Sequence, residues 1–392
     1  MNLAVAMLII FGSAKLLAEL FERLHQPGIV GEILAGILIG PSVLGWISPS
    51  EFTSTMAGLG VMFLLFRVGL EVEASELMKL GGTAAAVGIL GVIVPFMSGW
   101  GLFRIWGKGQ MEAVFLGTAL TATSVGITAQ VLAAKGLLHR TASKIILGAA
   151  VIDDILALLL LGVVTSMAEG RVNVPELAMT ALLAVGFILL VAGWGRRTMS
   201  HVMPRLKGKL RVGESQFALA MVLLFGLAAL SAKVGVAAII GAFLAGMALA
   251  EALPPRVHDL AHGVTELLVP FFLANIGLHL KLAVFAESST LLVALLVVPI
   301  AILSKVAGCG IGASRFGRVI AMRVSLGMIP RGEFCMVVAQ TGLGLNAISP
   351  STYAVIVFMA VTAAMLTPPF LKLAFRSVLA PPPPEEEAFR IG

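Results

Sequence analysis

Long apolar runs separated by short polar or basic turns fill most of this chain. A helix crosses the hydrocarbon core of a bilayer in about 17–25 residues, and on that measure the pattern predicts about thirteen spans. They fall at residues 3–22, 28–46, 53–71, 82–105, 111–134, 143–165, 174–195, 215–232, 235–251, 259–280, 288–312, 317–345 and 351–374. The start, MNLAVAMLIIFGSAKLLAEL, lacks a basic leading stretch and reads as a first span rather than a cleaved signal. The pattern therefore predicts an all-α polytopic membrane protein, with an odd number of spans placing the termini on opposite sides.

Composition agrees. Hydrophobic residues make up 59% of the 392 and charged residues 12%, where a soluble domain carries about 25% charged. Mean hydropathy is +1.03. The net charge of +6 does not indicate nucleic acid, because the 27 Lys and Arg residues are unevenly distributed between the two sides. Most fall on one set of loops, including Arg140, Lys144, Arg256, Arg315, Arg318, Lys372 and Arg376. Arg104, Lys108, Arg171, Lys233 and Lys281 fall on the other set. An excess of Lys and Arg in short loops marks the cytoplasmic side, so the expected orientation has the N-terminus outside and the C-terminus in the cytoplasm. Cys309 and Cys335 both sit in apolar runs and suggest no disulfide framework.

Three interruptions of the apolar pattern carry the chemistry. Asp153 and Asp154 lie midway along the run Ile145–Val164, where one charge costs roughly 2.5–3.5 kcal/mol on insertion scales. Neighbouring carboxylates also repel, so such a pair is a place where protons and a small cation compete. Lys305 is a lysine deep in the run PIAILSKVAGCGIGA, and a buried ammonium needs a carboxylate partner. Successive helical residues point about 100° apart. One aspartate can therefore face Lys305 while the other faces a water-filled cavity. A purely structural ion pair is the plainer alternative, but a single lysine cannot neutralise both acids. The remaining interruptions are two weak points within spans. LTATSVGITA (120–129) holds Thr121, Thr123, Ser124 and Thr128 around Gly126, and SLGMIPRGE (325–333) holds Gly327, Pro330, Arg331, Gly332 and Glu333. Pro330 removes a backbone donor. Interrupted helices in opposite halves point to a transport site. Their half-helix ends carry opposed partial charges, which Arg331, Glu333 and Lys305 could balance.

With these residues assembled, the chain resembles the bacterial monovalent cation:proton antiporter superfamily, in particular its NapA-like Na+/H+ branch. The matching motifs are QPGIVGEILAGILIGP (26–41), GTALTATSVG (117–126), Ile152–Asp154, Lys305, and AMRVSLGMIPRG (321–332) continuing to Glu333. The resemblance implies an NhaA/NapA-like inverted repeat with two crossing broken helices, a homodimer, and a core domain moving like an elevator. It implies a dimerisation domain from residues 1–81 and 214–286 and a core domain from 82–166 and 287–376. Residues 167–213 form a linker helix with a basic cytoplasmic loop, and 377–392 form a cytoplasmic tail. Asp154 would carry Na+ and protons, Asp153 would hold or release Lys305, and Thr123 and Ser124 would lie near the ion. Thr121, Gly126, Gly327, Pro330 and Gly332 would form the crossing, with Arg331 and Glu333 as supporting charges.

The expected function is electrogenic Na+/H+ antiport in the bacterial inner membrane, with K+/H+ exchange or a Kef-like potassium efflux system as the alternative. No enzyme is implied: an intramembrane aspartyl protease takes one aspartate from each of two helices, whereas here both lie on one. No cofactor beyond the transported Na+ and H+ is expected. Li+ and K+ are further candidate substrates, and the bilayer is the surrounding partner. His258 and His262, at i and i+4, read as an interfacial helix face, and Glu19, Glu22, Glu32 and Glu71 as exposed acids near span ends. The tail APPPPEEEAFRIG reads as a stiff linker.

Overall fold

The structure is a computed structural model. It describes residues 2–24, 26–71, 79–168, parts of 179–191, 214–235, 237–250, 252–280 and 282–376. The expected span 174–195 and the basic loop 193–213 lie largely outside the described residues, as does the tail.

The described chain is all helical. α1 (Leu3–Arg23), α2 (Gly28–Ile39) and α3 (Glu51–Leu70) are followed by α4 (Gly81–Ile105), α5 (Gln110–Thr121), α6 (Val125–Ala134) and α7 (Thr141–Ala168). After the gap come α8 (Ser215–Lys233), α9 (Ala238–Leu249), α10 (Pro255–Leu278), α11 (Ser288–Ala313), α12 (Gly317–Gly327), α13 (Glu333–Gly344) and α14 (Pro350–Ala374). Among the described residues, nine stretches are long and apolar enough to cross a membrane. Gly28–Ile39, Ala238–Leu249 and Phe334–Gly344 are shorter apolar helices. Helices are the expected answer in lipid, because each satisfies its own backbone donors and acceptors.

Two spans are shorter than the pattern predicts. α2 stops at Ile39, and Gly40 and Pro41 then turn the chain back so that Leu44 N bonds Leu38 O at 3.0 Å and Ile47 N bonds Ile39 O at 2.9 Å. Pro41 cannot continue the ladder of amide donors. α9 likewise covers only Ala238–Leu249 of the expected 235–251. Helix starts follow capping chemistry: Ser50 and Thr53 form a reciprocal capping box on α3, and Ser349 accepts from Thr352 N at 3.3 Å on α14.

The helices pack in two groups. α10 lies against α2 and α3, α9 bridges α3 and α8, and α1 lies on α2. In the other group α4 packs on α5, α7 and α11, while α12, α13 and α14 close around α5, α7 and α11. Small residues let backbones approach in the first group: a Cβ on Gly36 would stand 1.9 Å from Ala274 O, and one on Gly277 2.2 Å from Ile33 O. Three helices of the first group are followed by spans of the second, and the order recurs after the gap. The two breaks run in opposite directions. α5 starts beside α14, where Ser349 Oγ donates to Glu112 Oε1 at 2.7 Å, and α6 ends beside Lys372 at the other end of α14. α12 starts on that second face, where Arg323 Nε reaches Ala374 O at 3.2 Å, and α13 returns to the first. This is the inverted repeat that the resemblance implied.

One of the acids read as exposed is not. Glu32 is 5% exposed and accepts from Lys15 Nζ at 3.2 Å. An acid close to a span end is still buried when a second helix covers it, and α1 does so here. Glu19, Glu22 and Glu71 are exposed as expected. His262 sits 3.8 Å from Glu266 on the half-exposed face of α10, and no metal-holding cluster occurs among the described residues. Both cysteines are free and buried.

Candidate functional site: the crossing of two broken helices

The two interrupted spans cross at their non-helical stretches, residues 122–124 and 329–332. Ser124 N donates to Pro330 O at 2.8 Å, a backbone bond made across the crossing rather than within either helix. Thr128 Oγ1 donates to Gly327 O at 2.6 Å and Thr123 Oγ1 to Met328 O at 3.4 Å. Thr121, Gly327, Pro330 and Gly332 lie at or beside the two non-helical stretches. Gly332 is needed for contact, since a Cβ there would lie 2.5 Å from Ser124 Oγ. Gly126 is the second residue of α6, immediately after the break. Its role is close packing, for a Cβ would meet Val61 Cγ2 at 2.8 Å and the Phe272 ring at 3.1 Å.

The breaks leave carbonyls without ladder partners, and the last carbonyls of a helix carry partial negative charge. Two buried cations take them up. Lys305 Nζ donates to Thr121 O at 2.6 Å, at the end of α5, and to Gly91 O at 2.8 Å. Arg331 is fully buried and donates from Nη1 to Met328 O at 3.2 Å and Ile329 O at 3.1 Å, at the end of α12, and from Nη2 to Ala301 O at 3.2 Å. Arg331 therefore acts on carbonyls. Among the described residues no carboxylate lies within ion-pair distance of Arg331, and its Nε has no acceptor. The side chain of Glu333 lies outside the described residues.

The two aspartates of α7 diverge. Asp153 is fully buried and holds Lys305 Nζ at 3.0 and 3.2 Å from its two oxygens. Asp154 is 7% exposed and has no ion-pair partner within 4 Å among the described residues. It lines a cavity of about 190 Å³ together with Thr123, Ser124, Gly126, Phe272 and Phe334. The N-terminal end of α6 opens into that cavity, where the helix dipole favours a carboxylate. Leu158, Ala237 and Val337 place the cavity toward the first face, where α7 ends and α9 begins. On the other side of Asp154, Leu65, Leu147, Val151, Ile240 and Phe243 enclose a void of about 10 Å³, at most one water's worth of space. Asp154 thus borders a cavity on one side and packed hydrocarbon on the other.

Crossed half-helices with neutralised negative ends, beside one paired and one unpaired carboxylate, define a class: secondary transporters that exchange a cation for protons. The family model described as sodium/hydrogen exchanger, transmembrane, matches residues 6–376, and the chain belongs to that family. It is a membrane antiporter and not an enzyme. It is 35% identical to the Na(+)/H(+)-K(+) antiporter GerN of Bacillus cereus, over 93% of this chain and 94% of that one. It is 32% identical to the high-affinity Na(+)/H(+) antiporter NhaS3 of Synechocystis, over 97% and 92%. The fold is also similar to that of the sodium proton antiporter MjNhaP1 from Methanocaldococcus jannaschii, with a TM-score of 0.73 at 18% identity over 97% of each chain.

Proposed function

We propose that the protein exchanges Na+ for protons at Asp154, with Asp153 and Lys305 as a second, linked proton site. The observation that carries this reading is the split of the aspartate pair: one carboxylate is tied to an ammonium and the other stands unpaired in an open cavity. Na+ is a hard cation and takes oxygen ligands. The Asp154 carboxylate, the hydroxyls of Thr123 and Ser124 and freed backbone oxygens supply that chemistry. A proton on Asp154 removes the attraction for Na+, so the two ligands exclude each other.

Coupling follows from the seal. A bare carboxylate facing Leu147, Val151 and Phe243 is costly to move, by a few kcal/mol on insertion scales. A carboxylate neutralised by Na+ or by a proton is not. We place the second helix group, 82–166 with 287–376, as the moving core. The first, 1–81 with 214–286, is the dimerisation scaffold of a homodimer, with 167–213 as the linker between the halves and 377–392 as a cytoplasmic tail. The excess of basic loops supports a cytoplasmic second face, with the N-terminus outside, in a bacterial inner membrane. Opening of the Lys305–Asp153 pair admits a further proton, so that more protons than cations cross per cycle. No resident cofactor is needed for this chemistry.

GerN's name includes K+, which keeps K+ as a second cation to test. The deciding experiment is proton movement in proteoliposomes holding a pH dye, with Na+, Li+ or K+ added outside. Na+-driven flux that disappears in Asp154→Asn is the expected result. Undiminished flux in Asp154→Asn overturns the site, and a response to K+ alone moves the protein to potassium exchange.

A further inference from the structure

Lys305 Nζ has three protons to donate, and its two backbone acceptors are of different origin. The carbonyl of Thr121 is free because the helix breaks immediately after it. The carbonyl of Gly91 lies in the interior of α4, where a carbonyl ordinarily accepts from the amide four residues on. Here that residue is Pro95, which has no N–H and whose ring pushes against the same carbonyl. The proline therefore leaves the Gly91 oxygen without its ladder partner, at 2.8 Å from the Lys305 ammonium. Gly91 adds the space: a Cβ would stand 2.9 Å from Cys309 Sγ and 3.4 Å from Lys305 Nζ.

We propose that Pro95 and Gly91 are positioning residues for the exchange reaction, acting through Lys305. The freed Gly91 carbonyl and the Thr121 carbonyl form a cradle that keeps the ammonium in place when Asp153 releases it. The cradle lowers the penalty of opening the Lys305–Asp153 pair, because two of the three donors stay satisfied. With an alanine at position 95, the new amide competes for the Gly91 oxygen. The ammonium then depends more on Asp153, and opening of that pair when Na+ binds at Asp154 becomes costlier. The proposal rests on the reading of Asp153 and Lys305 as a linked proton site.

The test compares Pro95→Ala with Pro299→Ala in proteoliposomes. Pro299 is also inside a helix of the same group, but the carbonyl it frees belongs to Leu295, an exposed residue remote from the ammonium's three partners. Pro95→Ala is expected to raise the KM for Na+ about three- to tenfold, the effect of weakening one bond to a charged donor, with kcat within twofold. Pro299→Ala is expected to leave both within twofold. A second readout needs no transport: the shift in Tm caused by Pro95→Ala, measured in wild type and in Lys305→Met. Action through Lys305 makes the two changes non-additive, with Pro95→Ala destabilising wild type and neutral or stabilising without the lysine. An unchanged KM in Pro95→Ala, an equal shift in Pro299→Ala, or additive Tm changes would each overturn the proposal. Absence of Na+-driven flux in the wild-type protein would instead overturn the proposed function, and the Tm cycle would still judge the cradle.

Discussion

The two broken helices face the same physical problem and answer it differently. Each first half ends in carbonyls that face the protein interior. At the end of α12 the cation comes from the break itself: Arg331 turns back onto Met328 and Ile329 and reaches Ala301. At the end of α5 it comes from another helix, as Lys305 of α11, and that ammonium is shared with Asp153 of α7. Among the described residues the Arg331 guanidinium bonds only carbonyls, and carbonyls do not change charge during a transport cycle. An ammonium shared between carbonyls and a carboxylate is tied to whatever binds the carboxylate. The difference separates a fixed support from a moving part, although both residues are fully buried cations in broken-helix environments.

Substitutions can test that separation. The largest structural effect is expected for Arg331→Met, which removes the guanidinium from Ile329 O, Met328 O and Ala301 O and leaves the last two with the hydroxyls of Thr123 and Ser304. A hydrogen bond to a charged donor is worth about 1.5–3 kcal/mol, so the loss of three should appear as a large drop in Tm or loss of folded protein. Retention of wild-type Tm would mean that Arg331 is not the fixed support.

Lys305→Met should come next. Breaking a buried pair costs about 3–5 kcal/mol when the partner remains charged. Here Asp153→Asn in the same chain should recover much of the loss in Tm. No recovery in the double variant would show that the pair is not the unit. Lys305→Ala, which leaves Asp154 in place, should keep some exchange but change the charge moved per cycle, read as current on a solid-supported membrane. An unchanged current per cycle would reject the role in electrogenic exchange.

A smaller effect is expected for Thr128→Val, which removes the 2.6 Å bond to Gly327 O across the crossing. The net loss for such a bond is about 0.5–1.5 kcal/mol, with exchange reduced but present. Equal effects of Thr128→Val and Arg331→Met would mean that the crossing has no dominant support. The smallest effect serves as a control outside the membrane. The hydroxyls of Ser289 and then Thr290 hold the exposed Glu287 carboxyl below its usual range, at the start of α11. A depressed acid adds stability above its unfolded pKa and loses it as pH falls through the folded value. The Tm of wild type should therefore exceed that of Glu287→Gln slightly at neutral pH, and the gap should close on strong acidification. A gap that widens there would contradict the sign.

Much of this was legible from residue order. The spans could be read because lipid accepts only long apolar helices, and expected spans have helices in their places among the described residues. The aspartate pair, Lys305 and both breaks could be read because each violates the apolar pattern at a cost that needs a reason. The divergence of Asp153 and Asp154 followed from the 100° step of a helix. Glu32 was misread because burial of an acid near a span end depends on whether a neighbouring helix covers it. Pro95 carried a signal that could have been used, since a proline inside a span always frees one carbonyl, but its user could not be named.

The sequence by itself determined the class of protein, the number of crossings to within the undescribed stretch, and that the aspartate pair, Lys305 and the two breaks interrupt apolar spans, because those depend on local composition and helical period. Only the tertiary structure decided the partners. Lys305 finds Thr121, Gly91 and Asp153, Arg331 finds the carbonyls of Met328, Ile329 and Ala301, and Asp154 borders a cavity on one side and packed hydrocarbon on the other. Those outcomes rest on contacts between residues up to 214 positions apart, and no local pattern encodes which orphaned oxygen a buried cation will meet.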